Sequence, residues 1–182
     1  MKKKIIAFVG MPGSGKSLAV NAAKDRGIPV VSMGDVVREE VKLRGLEETP
    51  ENLGKVSKGL REEEGSQAVA NRTLPKIEKE KSRIVLVEGI RSLEEIELFK
   101  KHYPDFTLVA IQASPETRFK RLCERERSDD SLDIKTFQER DARETNFGIR
   151  SAMALADYLI VNEGCEDELI EKMRTILGKI IK

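Results

Sequence analysis

The chain has 182 residues, enough for one well-buried α/β core and too few for two ordinary domains with a linker. Its 33 Lys and Arg against 32 Asp and Glu leave a net charge of +1, so no global field draws it onto nucleic acid or a membrane surface. Two distant cysteines, Cys123 and Cys165, without a C-x-x-C pair or histidine-rich surroundings, argue against a disulfide framework or a zinc site and leave free thiols.

The basic start at Lys2, Lys3 and Lys4 leads into an apolar run, Ile5 to Val9, too short for a signal sequence or a membrane span; a cytoplasmic location is expected. The run ends on Gly10, Met11, Pro12, Gly13, Ser14, Gly15, Lys16 and Ser17, a complete G-x-x-x-x-G-K-S phosphate loop. In such a loop the backbone amides curl around phosphates and the glycines let the backbone approach without a Cβ. The lysine reaches the outer phosphates and the serine hydroxyl serves Mg²⁺. All eight residues are therefore ATP-binding candidates, with Ser17 also a metal ligand, and the expected helix runs from Ser17 to Arg26.

Short β-rich runs then alternate with longer helix-period stretches, as in a parallel sheet covered by helices on both faces. Five strands are predicted: Lys4 to Val9, Ile28 to Ser32, Ile84 to Glu88, Thr107 to Gln112 and Tyr158 to Val161. The expected fold is thus a three-layer α/β/α P-loop NTPase with a five-stranded parallel sheet, in one domain spanning 1–182. The block 36–82 reads as a helical insertion over the sheet edge, and 114–147 as a lid region.

After the second strand come Asp35 and Arg38. Asp35 is placed either to act as a general base or to cap the following helix. Glu88 ends the third strand, where an acid faces the crevice in which open α/β sheets bind ligands, and is the second candidate for Mg²⁺; a solvated loop acid is the plainer alternative. Arg91 follows three residues later. Arg38 and Arg91 form a pair able to clamp an anionic acceptor, unless Glu39, Glu94 or Glu95 merely pair with them on the surface.

Ser114-Pro115-Glu116 reads as a helix start, with Arg118, Arg121 and Arg125 along one side at i, i+3, i+7 spacing. A second helix, Asp133 to Asn146, should close at Gly148. Six arginines lie between Arg118 and Arg143, and the hairpin joined by 128–133 could fold over a triphosphate with its arginines inward. Their acidic neighbours, among them Glu124, Glu139, Asp141 and Glu144, would equally serve as ordinary helix-surface partners. The last stretch, Glu166 to Ile181, repeats Leu169, Ile170, Met173, Ile176, Leu177 and Ile180 at helical spacing and should pack on the sheet. His102, the sole histidine, falls at a helix end and reads as a solvated cap.

The ordered segments GMPGSGKS, SMGDVVR, VEGIR, SPETRFKRLCER and ADYLIVNEG resemble the nucleoside monophosphate kinase group, adenylate kinase in particular, over nearly the whole chain. More narrowly the chain resembles small archaeal-type adenylate kinase-related proteins. The resemblance implies that Arg38 and Arg91 contact the acceptor phosphate. It likewise implies that Arg121 and Arg125 are lid-helix arginines over the nucleotide, and that Arg140 is a further phosphate-contacting lid residue. The segment 156–164 is similar to the strand and loop beside the nucleoside base in related kinases, which gives Asn162 to the ATP site. Lys16, Arg125, Arg140 and Asp35 are then the catalytic candidates. Three departures stand out: Glu88 replaces the family aspartate, the run to Arg91 is one residue shorter, and the glutamine that reads adenine in the acceptor site has no counterpart, which puts AMP in doubt. The lid is also short and without zinc ligands.

The leading expectation is Mg²⁺-assisted transfer of the γ-phosphoryl group of ATP to a small phosphorylated, nucleotide-like acceptor. A hydroxyl acceptor, as in dephospho-coenzyme A kinase or shikimate kinase with Asp35 as base, is the first alternative. A nucleotide-dependent switch that transfers nothing is the second; the guanine-reading N-K-x-D sequence is missing, which argues against a Ras-type GTPase.

Overall fold

The computed structural model describes residues 2–125 and 133–181; of Arg125 only the backbone is described, and Arg127 and the turn at 126–132 lie outside the described residues. Five strands, β1 (Lys4–Val9), β2 (Val30–Ser32), β3 (Ile84–Glu88), β4 (Asp105–Gln112) and β5 (Tyr158–Val161), form one parallel sheet in the order β2-β3-β1-β4-β5. The helices are α1 (Lys16–Lys24), α2 (Met33–Leu43), α3 (Pro50–Glu64), α4 (Ala68–Lys79), α5 (Leu93–His102), α6 (Pro115–Arg125), α7 (Ile134–Asn146), α8 (Ile149–Ala154) and α9 (Glu166–Ile180).

Strand residues alternate between two apolar layers, as a sheet buried on both faces requires. Ile5, Ala7, Val85, Val87, Leu108 and Ala110 pack under α2, α3, α4, α5 and α8, whereas Ile6, Phe8, Leu86, Val109 and Ile111 pack under α1 and α9. The three insertion helices bury Val37 and Val41 (α2), Val56 and Leu60 (α3), and Val69 and Ile77 (α4) in the first of these layers, which seats them on the sheet. On α9, Leu169, Met173, Leu177 and Ile180 are buried, while Ile170 and Ile176 are only partly so.

Three strands have their predicted limits. β2 starts two residues late because Pro29 has no N–H to offer a ladder; its carbonyl still accepts from the Leu86 amide at 2.9 Å. β4 starts two residues early, since Lys4 pairs with Asp105 both in register and through a 3.2 Å ion pair. Helix starts follow local capping chemistry: Thr49, Ser92 and Asp133 accept from the amides of Asn52, Glu95 and Thr136. Asp133 is thus the cap of α7 and not its first residue, and Gly148, at φ +95°, both ends the segment after α7 and starts the short α8, which has no sequence-level signature. His102 is the last residue of α5, exposed, with Nδ1 2.9 Å from the Leu98 carbonyl oxygen.

Register brings Phe8 of β1, Ser32 of β2 and Glu88 of β3 together at the C-terminal end of the sheet. There the chain leaves β1 for β2 on one side and β3 for β4 on the other, which opens a crevice at the strand C-termini. No helix among the described residues is long and apolar enough to cross a membrane.

Candidate functional site

That crevice is a cleft of about 960 Å³. Its floor is the turn from β1 into α1. Gly13 (φ +78°) and Gly15 (φ +101°) adopt left-handed backbone that disfavours a side chain, and neighbours close off the space as well. A Cβ on Gly13 would lie 2.7 Å from the Arg118 carbonyl oxygen, and one on Gly15 would strike the Asn162 amide. The loop is braced from outside: Asn162 Nδ2 donates to the Ser14 carbonyl at 2.9 Å and Arg118 to that of Pro12 at 3.0 Å. Within it, Lys16 Nζ donates to the carbonyls of Gly10 (2.5 Å) and Met11 (3.0 Å). Enclosure by the loop pushes the Lys16 ammonium down to about 8; Glu144 and Glu88 oppose the shift, Arg91 and Arg140 add to it.

One wall is the end of β3 with the turn that leads into α5. Glu88 is half-buried and lines the cleft, as does Ser17 at the start of α1. A hydroxyl and a carboxylate on one cleft are oxygen donors suited to Mg²⁺, which holds few protein ligands and takes others from phosphates. Among the described residues no group of three or more His, Cys, Asp and Glu could hold a metal on its own. Arg91 lines the same wall, its backbone N–H on Glu95 (2.8 Å) and its Nε 3.2 Å from the carboxylate of Glu144. Neither Glu94 nor Glu95 is the ion partner of its side chain.

The opposite wall is the insertion. Arg38 lines the cleft and holds Asp35 at 2.7 Å, with both side chains about half exposed. Asp35 is the third residue of α2, whose cap is Ser32, so the capping alternative fails; nor is Asp35 among the residues that line the cleft. Sequence reasoning missed Arg61. From α3 it reaches the fully buried Glu95 at 2.7 Å, bonds Ser57, and lies 5.1 Å from the centre of the Phe147 ring. Burial pushes the Glu95 carboxyl up despite this partner. The pairing spans 34 residues, so nothing local announces it.

The roof is α6 and α7. Arg118 departs from the expectation of an inward-facing lid arginine: only 2% exposed, it is gripped by both oxygens of Asp141 and lies 5.0 Å from the centre of the Phe137 ring. A guanidinium taken out of water needs a carboxylate, and Asp141 on the facing helix supplies it. Arg118 therefore joins α6 to α7 and to the loop. Arg121 donates to the carbonyls of Asn162 and Gly164, both at 2.9 Å, and still lines the cleft beside Asn162. Asn162 is buried, its amide committed to the loop. Arg140 and Arg143, both among the six arginines of the expected lid hairpin, also line the cleft. The Arg125 side chain lies outside the described residues.

An AAA domain model matches residues 9–138. A UPF0200/UPF0201 protein of Archaeoglobus fulgidus is 49% identical over the whole of this chain, which spans only 57% of that relative's length. A UPF0200 protein of Methanocaldococcus jannaschii is 50% identical over 97% of the chain and 90% of its own. Among solved structures, a gluconokinase from Sinorhizobium meliloti superposes with a TM-score of 0.60 at 14% identity, covering 98% of this chain and 93% of its own. A shikimate kinase from Bacteroides thetaiotaomicron does so with 0.60 at 16%, covering 96% and 98%. The chain belongs to the UPF0200 family, and its fold is that of the P-loop kinases.

Proposed function

Starting from a UPF0200 chain with a P-loop kinase fold, we propose that this protein transfers the γ-phosphoryl group of ATP to a small phosphorylated acceptor, in the manner of adenylate kinase-related enzymes. Gly10 to Ser17 hold the triphosphate. Lys16 leaves the carbonyls of Gly10 and Met11 for the outer phosphates, a short move for a side chain hydrogen-bonded to two backbone oxygens of its own loop. Ser17 and Glu88 hold Mg²⁺, which neutralises charge on the phosphates when bound. Arg38 and Arg91 orient the acceptor anion. Arg140 and Arg125 stabilise the charge that develops in the transition state, and Arg121 and Asn162 shape the end of the site next to the loop. A cytoplasmic location accompanies this reading.

The observation that carries it is the placement of Arg38 and Arg91 on the cleft that holds Lys16, while Asp35, the one acid suited by sequence to act as a base on a hydroxyl, does not line it and is paired with Arg38. A phosphate nucleophile is already anionic and needs no strong base. The test is Mg²⁺-dependent ATP consumption by the full chain against panels of phosphate monoesters and of unphosphorylated alcohols. Product with a monoester supports the reading; product only with an alcohol, or ATP hydrolysis indifferent to every acceptor, defeats it.

A further inference from the structure

Glu144 lines the cleft beside Arg91, the guanidinium read above as a ligand of the acceptor phosphate. It is 5% exposed, its carboxylate is 3.2 Å from Arg91 Nε, and of the charged groups around Lys16 it exerts the largest pull on the ammonium. Arg140 lies on the same helix one turn earlier and adds a third cation to this neighbourhood. Glu144 and Glu88 are the two carboxylates that offset these cations at Lys16, and of the two Glu144 is the one hidden from water, where a carboxylate needs cations in turn. The residue reaches this place from α7, the roof, whereas Arg91 belongs to the wall after β3.

We propose that Glu144 is an internal counter-ion that occupies the acceptor-phosphate position at Arg91, and that an acceptor must displace it to bind. It is a positioning and specificity-determining residue, and this inference rests on the reading of Arg91 as an acceptor ligand. Glu144 already holds the Nε of Arg91, a guanidinium still about one-third exposed, so a phosphate that takes this edge moves the carboxylate away. The exchange costs the incoming group the ion pair it replaces. A dianionic phosphate meets that cost through its second charge and additional oxygens; a monocarboxylate offers nothing that Glu144 does not already give. The site thereby selects phosphate monoesters over acceptors whose only anionic group is a carboxylate.

The test is calorimetric titration of the full chain, without ATP, with inorganic phosphate above its second pKa and with acetate as the monoanion. Glu144→Gln should bind phosphate roughly 5- to 150-fold more tightly than the unmodified chain, the usual span of coupling between competing ligands. It should also gain measurable acetate affinity, and both gains should vanish in Glu144→Gln with Arg91→Gln. Phosphate affinity unchanged or weakened in a folded Glu144→Gln chain overturns the proposal. Should that variant not fold, ¹³C and ¹⁵N resonances of the unmodified chain decide: phosphate must shift both the Glu144 carboxylate carbon and Arg91 Nε, and a shift of Arg91 alone means the carboxylate was never displaced. Phosphate exchange of this kind in a chain that moves no phosphoryl group from ATP would defeat the kinase reading and leave this one standing. Turnover on a monoester with Glu144→Gln showing unaltered acceptor affinity would do the reverse.

Discussion

At the scale of single residues, Asp35, the acid after β2, separates the chemistries open to the cleft. Asp35 is held by Arg38 at the surface, so Asp35→Asn should change turnover by no more than about threefold, whereas loss of a general base costs about 10²- to 10⁴-fold. Steady-state kinetics on the acceptor identified by the panel gives the answer. Gly13 has the opposite character. Its left-handed backbone and the 2.7 Å approach of the Arg118 carbonyl leave no room for a methyl group, so Gly13→Ala should destabilise the chain by about 1–3 kcal/mol in urea unfolding and weaken ATP binding along with it. Both residues were visible in the sequence, yet only Gly13 carried its role there. The loop's function is local, within eight consecutive residues, while the fate of Asp35 depends on which way one turn of α2 faces.

At the scale of elements, the α6–α7 pair is held by Arg118 and Asp141, a pair drawn from the same arginine-rich stretch that reads as a phosphate-binding lid. Arg118→Ala would leave the Asp141 carboxylate without its partner at an inter-helix contact and should cost about 3–5 kcal/mol, against much less for a joint Arg118→Met, Asp141→Leu change, measured by denaturant unfolding. Spacing placed Arg118, Arg121 and Arg125 on one side of α6, and α6 does begin where Ser114 and Pro115 indicate. Spacing could not say which of that row enters the core, because Arg118 is drawn inward by a carboxylate 23 residues away. The same holds for Arg61 with Glu95 and for Arg91 with Glu144. Each pair crosses between elements, and only tertiary packing brings its members together. By contrast the strands were legible because a sheet covered on both faces needs runs of Val, Ile and Leu, and their ends shifted only where Pro29 lacks an N–H and where Asp105 pairs with Lys4 of the neighbouring strand.

For the whole molecule, the crevice exists because the chain leaves β1 for β2 on one side and β3 for β4 on the other, so ligand and fold are coupled. A nucleotide that binds only the folded chain should stabilise it by about 2.7 kcal/mol at a hundredfold excess over its dissociation constant, which for a chain of this size raises the unfolding midpoint by roughly 5–10 °C. The most direct measurement is therefore thermal unfolding with Mg²⁺ and ATP, for the unmodified chain and for Lys16→Ala. A rise of that order that needs both Mg²⁺ and ATP, and that Lys16→Ala abolishes, is the predicted result; no rise in the unmodified chain, or an equal rise in both, would contradict it.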